Sequence, residues 1–196
     1  MLSSPHAQRP GRYAAGRPDK TQKVLMSSEL SPLLNRVVFR PIALDDADGL
    51  NAACWSDRPR DVVIDLLRRA QRLAEQRRGL AVTALRENQP CAFAMLTLWP
   101  HCAEISDLIV SEPLRGHRIG TGLIEYLAQA ARGLGATMLE IGAALSNPRA
   151  IELYRRLGFR DGRVVTLDLA SGPEPVLYLY RAVSSPDYCQ PVGSPR

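Results

Sequence analysis

The stretch Val110-Ser111-Glu112-Pro113-Leu114-Arg115-Gly116-His117-Arg118-Ile119-Gly120-Thr121-Gly122 decides the reading of this chain. It leaves an apolar run that ends at Val110 and turns through a segment holding Gly116. It then enters the helical pattern Ile119, Leu123, Leu127, Ala130, Leu134, which stops at Gly135. A strand-to-helix junction of this kind presents free backbone N–H groups at the positive end of a helix dipole, a seat for phosphate oxygens. Gly116 and Gly120 allow close approach of backbone to a ligand, and Arg115 and Arg118 can add charge-assisted hydrogen bonds. The segment is not a P-loop, because no Gly-Lys-Ser/Thr follows. A dinucleotide fold is disfavoured as well, since the glycine loop comes after several strands rather than in an opening strand–helix unit. Taken alone, these residues fit equally a turn whose glycines only shape the chain.

Outward from this junction the apolar periodicity alternates between two kinds. Upstream, Val37–Arg40 reads as a strand ended by Pro41. Asp45 and Asp46 suit a helix N-terminus. Val62, Val63, Leu66, Leu67, Ala70 and Leu73 form a helical stripe, with Arg68, Arg69, Arg72 and Arg77 on a solvated outer face. Leu80–Leu85 and Cys91–Leu98 read as strands joined by a polar turn, and Glu104–Val110 as a third. Downstream, Met138–Leu145 is a strand, Pro148–Leu157 a short helix, and Arg163–Leu169 and Val176–Tyr180 are closing strands. Hairpin-like strands come first and strand–helix alternation follows. The expected fold is therefore α/β: a mixed sheet with helices packed against it, mostly antiparallel at the start, with a strand–helix–strand–helix second half.

The segment Asn147-Pro148-Arg149-Ala150-Ile151-Glu152-Leu153-Tyr154-Arg155-Arg156-Leu157-Gly158-Phe159 is the second informative one. Asn147 is a good N-cap, Pro148 a good first helical residue and Gly158 a helix stop. Together the two segments resemble the GNAT N-acetyltransferase superfamily, with its Arg/Gln-x-x-Gly-x-Gly/Ala turn after a Val-ending strand and its Asn-x-x-Ala-x-x-x-Tyr-x-x-x-Gly-Phe helix. Arg115, Gly120 and Val110 match the first in type and spacing, whereas Arg118 replaces the middle glycine and requires a conformation open to a side chain. A weaker match is Arg40-Pro41 through Asp46-Ala47, similar to the family's opening. The resemblance covers roughly residues 36–182.

What the resemblance implies is specific. The donor would be acetyl-CoA, with no metal, and the acceptor a primary amine attacking directly in a ternary complex, with no acyl-enzyme. Consistent with that, no Gly-x-Ser-x-Gly nucleophile motif is present. Leu108, Ile109 and Val110 would hold the pantetheine arm and the thioester carbonyl, and that strand would splay from Met138–Leu145. Arg115, Gly116, His117, Arg118, Ile119, Gly120 and Thr121 would take the pyrophosphate, with Asn147 and Tyr154 nearby. Tyr154 would protonate the leaving thiolate. The amine must lose a proton to attack, since a free alkylamine has a pKa of about 10. The family often carries a Glu where Ser106 stands, and a serine is a poor base. Glu104, two residues away on the same strand face, is the assigned base. Asp107, facing the other way, His101 and an ordered water are alternatives. Protein N-terminal or lysine acetylation is a second substrate class, although the spacing from Leu139-Glu140 to Ser146-Asn147 is longer than that of the ribosomal-protein acetyltransferases. A catalytically silent acyl-CoA-binding module is a third reading.

Composition bounds the setting. The 196 residues suit one domain with tails, and the net charge is +5. Residues 1–25 hold Arg9, Arg12, Arg17, Lys20 and Lys23 against Asp19, a net of +4, which leaves the rest close to neutral. A nucleic-acid-binding face on the domain is thereby disfavoured. Residues 1–35 and 184–196 are expected to be disordered tails around a 36–183 domain, given their Pro, Ser and Gly content and few apolar residues. Nothing reads as a secretory leader or a membrane span. Cys54, Cys91, Cys102 and Cys189 have no metal-type spacing, and reduced thiols in a cytoplasmic protein are expected. A chain shortened to begin at Met26 is predicted to keep its melting temperature and its affinity for coenzyme A. A drop of several degrees in a thermal melt would show that the removed residues pack on the domain.

Overall fold

The computed structural model describes residues 37–169 and 172–183. The expected tails, and Cys189 with them, lie outside the described residues. The hairpin that starts the sheet is set by its turn. Glu87 and Asn88 take positive φ values of 53° and 62°, and Arg86 pairs with Gln89, so two residues close the loop. Such a turn matches the twist of the flanking strands. It lengthens the two expected strands into β2 (Gly79–Arg86) and β3 (Gln89–Leu98).

Before them run β1 (Val37–Pro41), α1 (Asp46–Cys54) and α2 (Arg60–Glu75). After them come β4 (Ala103–Val110), a single 3₁₀ turn (Glu112–Leu114), α3 (Ile119–Gly133), β5 (Met138–Ala144), α4 (Pro148–Arg156), β6 (Arg160–Leu169) and β7 (Gly172–Ala182). The seven strands form one mixed sheet in the order β1-β2-β3-β4-β5-β7-β6. Every neighbouring pair is antiparallel except β4 with β5, as the shift from hairpins to strand–helix alternation predicts.

Alternation along β3 assigns the two faces. Phe93 and Met95 point to α1 and α2, where Leu50, Trp55, Val63, Leu67 and Ala70 are buried, and Trp55 meets Phe93 edge-on at 5.4 Å between ring centroids. Ala92, Ala94 and Leu96 point the other way, to Leu123, Ile124 and Leu127 of α3 and Ile151 of α4. The small alanines let α3 lie close to the sheet. Val62, read as part of the α2 stripe, is instead 47 % exposed, and the stripe begins at Val63.

Asp45 and Asp46 stand at the start of α1 as expected, Asp45 as the N-cap residue with no side-chain capping bond and Asp46 as the first helical residue. The Asp46 carboxylate is buried and accepts from Arg40 Nη1 and Nη2 at 2.8 and 2.6 Å, from the Ala43 N–H at 2.9 Å and from Thr83 Oγ1 at 3.1 Å. One side chain thus ties β1, α1 and β2, which gives the Arg40-to-Asp46 spacing its structural meaning. Burial alone would favour the neutral acid, but the hydrogen bonds from Arg40, Ala43 and Thr83 outweigh it and hold the carboxyl below its ordinary range. Asp46→Asn should therefore destabilise the fold by about 2 kcal/mol, below the cost for a fully buried pair because Arg40 is partly solvated. The lowered pKa means that this contribution is present above pH ~4 and is lost as pH falls through the folded value. Thermal melts of both proteins at neutral pH and near pH 3 should show a gap that closes in acid.

Candidate active site

β4 and β5 pair over three residues only, Ala103 with Leu139, Glu104 with Glu140 and Ile105 with Ile141. Beyond Ile105 they part. The cause lies in β4: Phe93 faces Ile109 but Met95 faces Ser106, so two steps on β3 span three on β4. The extra residue falls at Asp107, whose φ is 53°, and a bulge of this kind bends its strand. A cleft of about 250 Å³ opens in the gap, lined by Ile105 to Leu108 on one side and Ile141 to Ala144 on the other. Asn147, Ala150 and Tyr154 of the α4 segment close it.

A larger groove of about 1160 Å³ continues from the cleft and shares Leu108, Asn147 and Ala150 with it. Of the residues named from sequence, Leu108, Ile109, Val110, Arg115, Gly116, Arg118, Ile119, Gly120, Thr121 and Asn147 all line this groove. His117 does not; its ring nitrogen turns back to the Arg115 carbonyl at 3.1 Å. Tyr154 lines the cleft rather than the groove.

The turn into α3 has the character its sequence predicted. The first backbone bond of the helix runs from the Gly122 N–H to the Arg118 carbonyl at 2.9 Å. The N–H groups of Ile119, Gly120 and Thr121 are therefore the free donors of the first turn. The two helical glycines have different reasons. A Cβ on Gly122 would lie 2.6 Å from the Phe39 ring, so packing on β1 requires glycine there. A Cβ on Gly120 would meet nothing nearer than Val110 Cγ2 at 3.7 Å, an ordinary contact, so its bareness serves the groove rather than the fold.

Arg118 corrects the sequence reading. The position has not changed to a conformation suited to side chains: φ is 62° and ψ 8°, the left-handed region that glycine adopts freely. The arginine carries a cost of roughly 1 kcal/mol to sit there. The cap at Asn147 is as expected, with its Oδ1 accepting from the Ala150 N–H at 3.2 Å.

Tyr154 is 6 % exposed, and among the described residues its hydroxyl has no hydrogen-bond partner. Burial pushes its pKa up to about 12, so the group is a neutral donor. The candidate bases divide. Glu104 lies on the face that carries α1 and α2, opposite Thr97, and its Oε2 accepts from Trp99 Nε1 at 2.8 Å. It stands one rung before the gap and lines neither cavity. Ser106 and Asp107 line the cleft, Asp107 as the exposed bulge residue, and His101 is on an exposed loop. Sequence reading missed the wall formed by α4, where Arg149, Glu152, Leu153 and Arg156 line the groove. Their i, i+3, i+4, i+7 spacing was the available signal.

The profile of the acetyltransferase (GNAT) family matches residues 42–159, more than half of the chain and all of both segments described above. The chain belongs to this family. The segment from 42 to 159 holds the bulged strand, the groove turn and the capped α4 helix. An uncharacterized N-acetyltransferase of Methanocaldococcus jannaschii is 40% identical over 63 residues, 32% of this chain and 28% of that protein. The aminoalkylphosphonate N-acetyltransferase of Salmonella typhimurium is 33% identical over 58 residues, 30% of this chain and 38% of that protein. The matched part thus spans well under half the length of either curated relative. In fold, the chain is similar to a ribosomal L7/L12 α-N-protein acetyltransferase solved with coenzyme A. The TM-score is 0.65 at 13% identity, over 74% of this chain and 93% of that one. Among the described residues no cluster of His, Cys, Asp and Glu could hold a metal ion, and no helix is long and apolar enough to cross a membrane.

The contrast between the two helical glycines gives a direct test. Gly120→Val should shift the melting temperature little, because the fold leaves room for a Cβ at that position. Its affinity for coenzyme A should fall by at least about tenfold, ~1.4 kcal/mol. Titration calorimetry together with a thermal melt separates the two effects.

Proposed function

We propose that this protein is an acetyl-CoA-dependent N-acetyltransferase acting on a primary amine of a small molecule or peptide, by direct attack in a ternary complex. The observation that carries this reading is the continuity of the groove with the cleft. Free helix-turn amides lie along the groove, and Tyr154, a largely buried residue, lines the gap between β4 and β5. A long ligand with a phosphate-bearing end and a thioester end fits that order of chemistry. Acetyl-CoA supplies the activated acyl group; everything else falls to the chain's residues.

The N–H groups of Ile119, Gly120 and Thr121 would hold the pyrophosphate, assisted by the helix dipole. Leu108 and Val110, on the edge of β4 that β5 abandons, would offer backbone groups to the pantetheine arm and to the carbonyl oxygen. The amine would enter from the face that carries Glu104. That carboxylate is anchored by Trp99 and stands about 6.6 Å along the strand from Ser106, so it would take the amine's proton through a water. Tyr154 would donate to the departing sulfur. A cytoplasmic setting goes with this reading, supported by the free thiols of Cys54, Cys91 and Cys102.

Tyr154→Phe removes only the hydroxyl, and that group makes no hydrogen bond among the described residues. Coenzyme A affinity should stay within a few-fold of the parent while turnover falls by roughly one to three orders of magnitude. The loss belongs in turnover because the hydroxyl acts on charge that appears as the thiolate leaves. Release of free thiol, followed with a panel of amines for parent and variant, is the measurement. Equal turnover would reduce Tyr154 to a wall of the cleft, and no thiol release by the parent with any amine would leave the chain an acyl-CoA-binding module.

A further inference from the structure

The wall of the groove opposite the α3 turn is built from one face of α4. Arg149, Glu152, Leu153 and Arg156 project into it together. Arg155, between them in sequence, is turned away and bound to Asp161 through Nε at 2.9 Å. Arg149 and Arg156 have no such partner among the described residues, and neither does Arg118 on the facing wall. Arg115 spends its Nε on the Val110 carbonyl at 3.2 Å. The groove therefore gathers four guanidinium groups around a single carboxylate, that of Glu152, in a domain that is otherwise close to neutral.

Coenzyme A carries two separate anionic groups, a pyrophosphate and a 3′-phosphate monoester. The free amides at the start of α3 suit the first. The arginines are then in excess, and their placement divides them. Arg149 and Arg156 are seven residues apart, about 10.5 Å along the helix, so they rise from different points along the groove. Arg149 stands beside Asn147 and Ala150, where the groove joins the cleft and the thioester end of the ligand lies. Arg156 stands at the far end, beside Leu157, where the nucleotide end must lie. Arg118 occupies a left-handed position that glycine would take at no cost, and the side chain it gains by doing so lines the groove.

We propose that Arg156 and Arg118, from the two walls of the groove, bind the 3′-phosphate of coenzyme A, so that this enzyme discriminates against donors lacking that group. The inference rests on the reading of the groove as the donor site. A phosphate monoester carries up to about two negative charges and three acceptor oxygens near neutral pH. A guanidinium presents planar paired donors that match it.

The test compares coenzyme A with 3′-dephospho-coenzyme A in titration calorimetry, and their acetyl thioesters in steady-state kinetics. The parent should prefer the 3′-phosphorylated compound by on the order of tenfold to a hundredfold, the range for a charge-assisted contact. Arg156→Ala should reduce that preference to a few-fold while leaving affinity for the dephospho compound unchanged, and Arg156→Lys should retain part of it. Arg118→Gly should also reduce the preference, and should raise the melting temperature because the backbone strain is relieved. Arg155→Ala, on the same helix but outside the groove, should preserve the preference. Equal binding of both compounds by the parent would overturn this proposal and leave the donor site standing. An unaltered preference in both the Arg156 and Arg118 variants would overturn it too. Failure of the parent to bind either compound would remove the donor site itself and the proposal with it.

Discussion

The structure depends on where the one parallel strand pair stops. Parallel strands require a crossover, and here the crossover is α3, whose N-terminus must sit at the C-terminal end of β4. If β4 and β5 had stayed paired, that end would be a closed sheet edge with a helix above it. The bulge at Asp107 prevents this. After Ile105 the two strands diverge, leaving Ser106–Val110 and Gly142–Ala144 with backbone groups that do not satisfy one another. Unpaired backbone inside a fold is costly unless water or a ligand completes it. The same divergence sets α3 and α4 apart, since each follows one of the two strands. The cleft, the groove and the free amides at their junction are thus consequences of one interruption in the ladder.

The legibility of the fold follows from which of its causes are local. Strands, helices and the shift from antiparallel to parallel pairing could be read because periodicity, Gly135, Gly158 and the Asn147–Pro148 start are properties of short segments. The two-residue turn at Glu87–Asn88 could also have been found, yet its residues lack the glycine that usually marks such a turn, and both strands came out longer than expected. The bulge was not legible. Nothing in Ser106-Asp107-Leu108 distinguishes a bulged strand from a regular one, because the bulge is a relation between β4 and β3. Alternation carried on from Ala103 and Ile105 would put Ile109 on the α3 side, whereas in the structure Leu108 and Val110 pack there and Ile109 packs with the α1 and α2 cluster. Arg118 shows the same limit from another direction. The sequence reveals that a glycine position holds an arginine, but whether the backbone changed or the side chain tolerates strain is decided by the helix it must start. Asp46 stands at the helix start that its neighbourhood in sequence indicates, but one of its partners, Thr83, is 37 residues away and was not legible.

The side of the sheet that carries Glu104 has its own logic. Glu104 and Glu140 are direct partners on the middle of the three closed rungs, and like charges so placed repel. Arg163, from β6, answers one of them, with Nη2 3.0 Å from Glu140 Oε2 and its guanidinium 4.6 Å from the Tyr178 ring centre. Glu104 receives a neutral indole N–H instead, so its charge is oriented but not compensated. In the proposed mechanism a carboxylate oriented in this way would favour an approaching ammonium group. Ser106, two residues further along the strand, lines the cleft.

Tyr154 completes the argument because its environment looks unfavourable at first. A phenol pushed up to about 12 is a weaker acid than in water. An ordinary phenol near 10 and an ordinary thiol near about 8.5 differ by ~1.5 units, about 2 kcal/mol against proton transfer from the first to the second. Burial, however, acts on both acids in the same direction, since each exchanges a neutral form for an anion. The chain contains its own example: burial moves the Cys54 thiol from 9.0 to about 11, a displacement close to that of Tyr154. A thiolate expelled into the same cleft would be raised in the same way, so the gap between donor and acceptor stays near its value in water. What changes is the alternative. In water a departing thiolate is solvated from all sides; in the proposed mechanism Tyr154, which lines the cleft between β4, β5 and α4, would supply a donor there. A hydrogen bond that is modest in water is worth more in a site of low dielectric, and it is needed only as charge leaves the carbonyl for the sulfur.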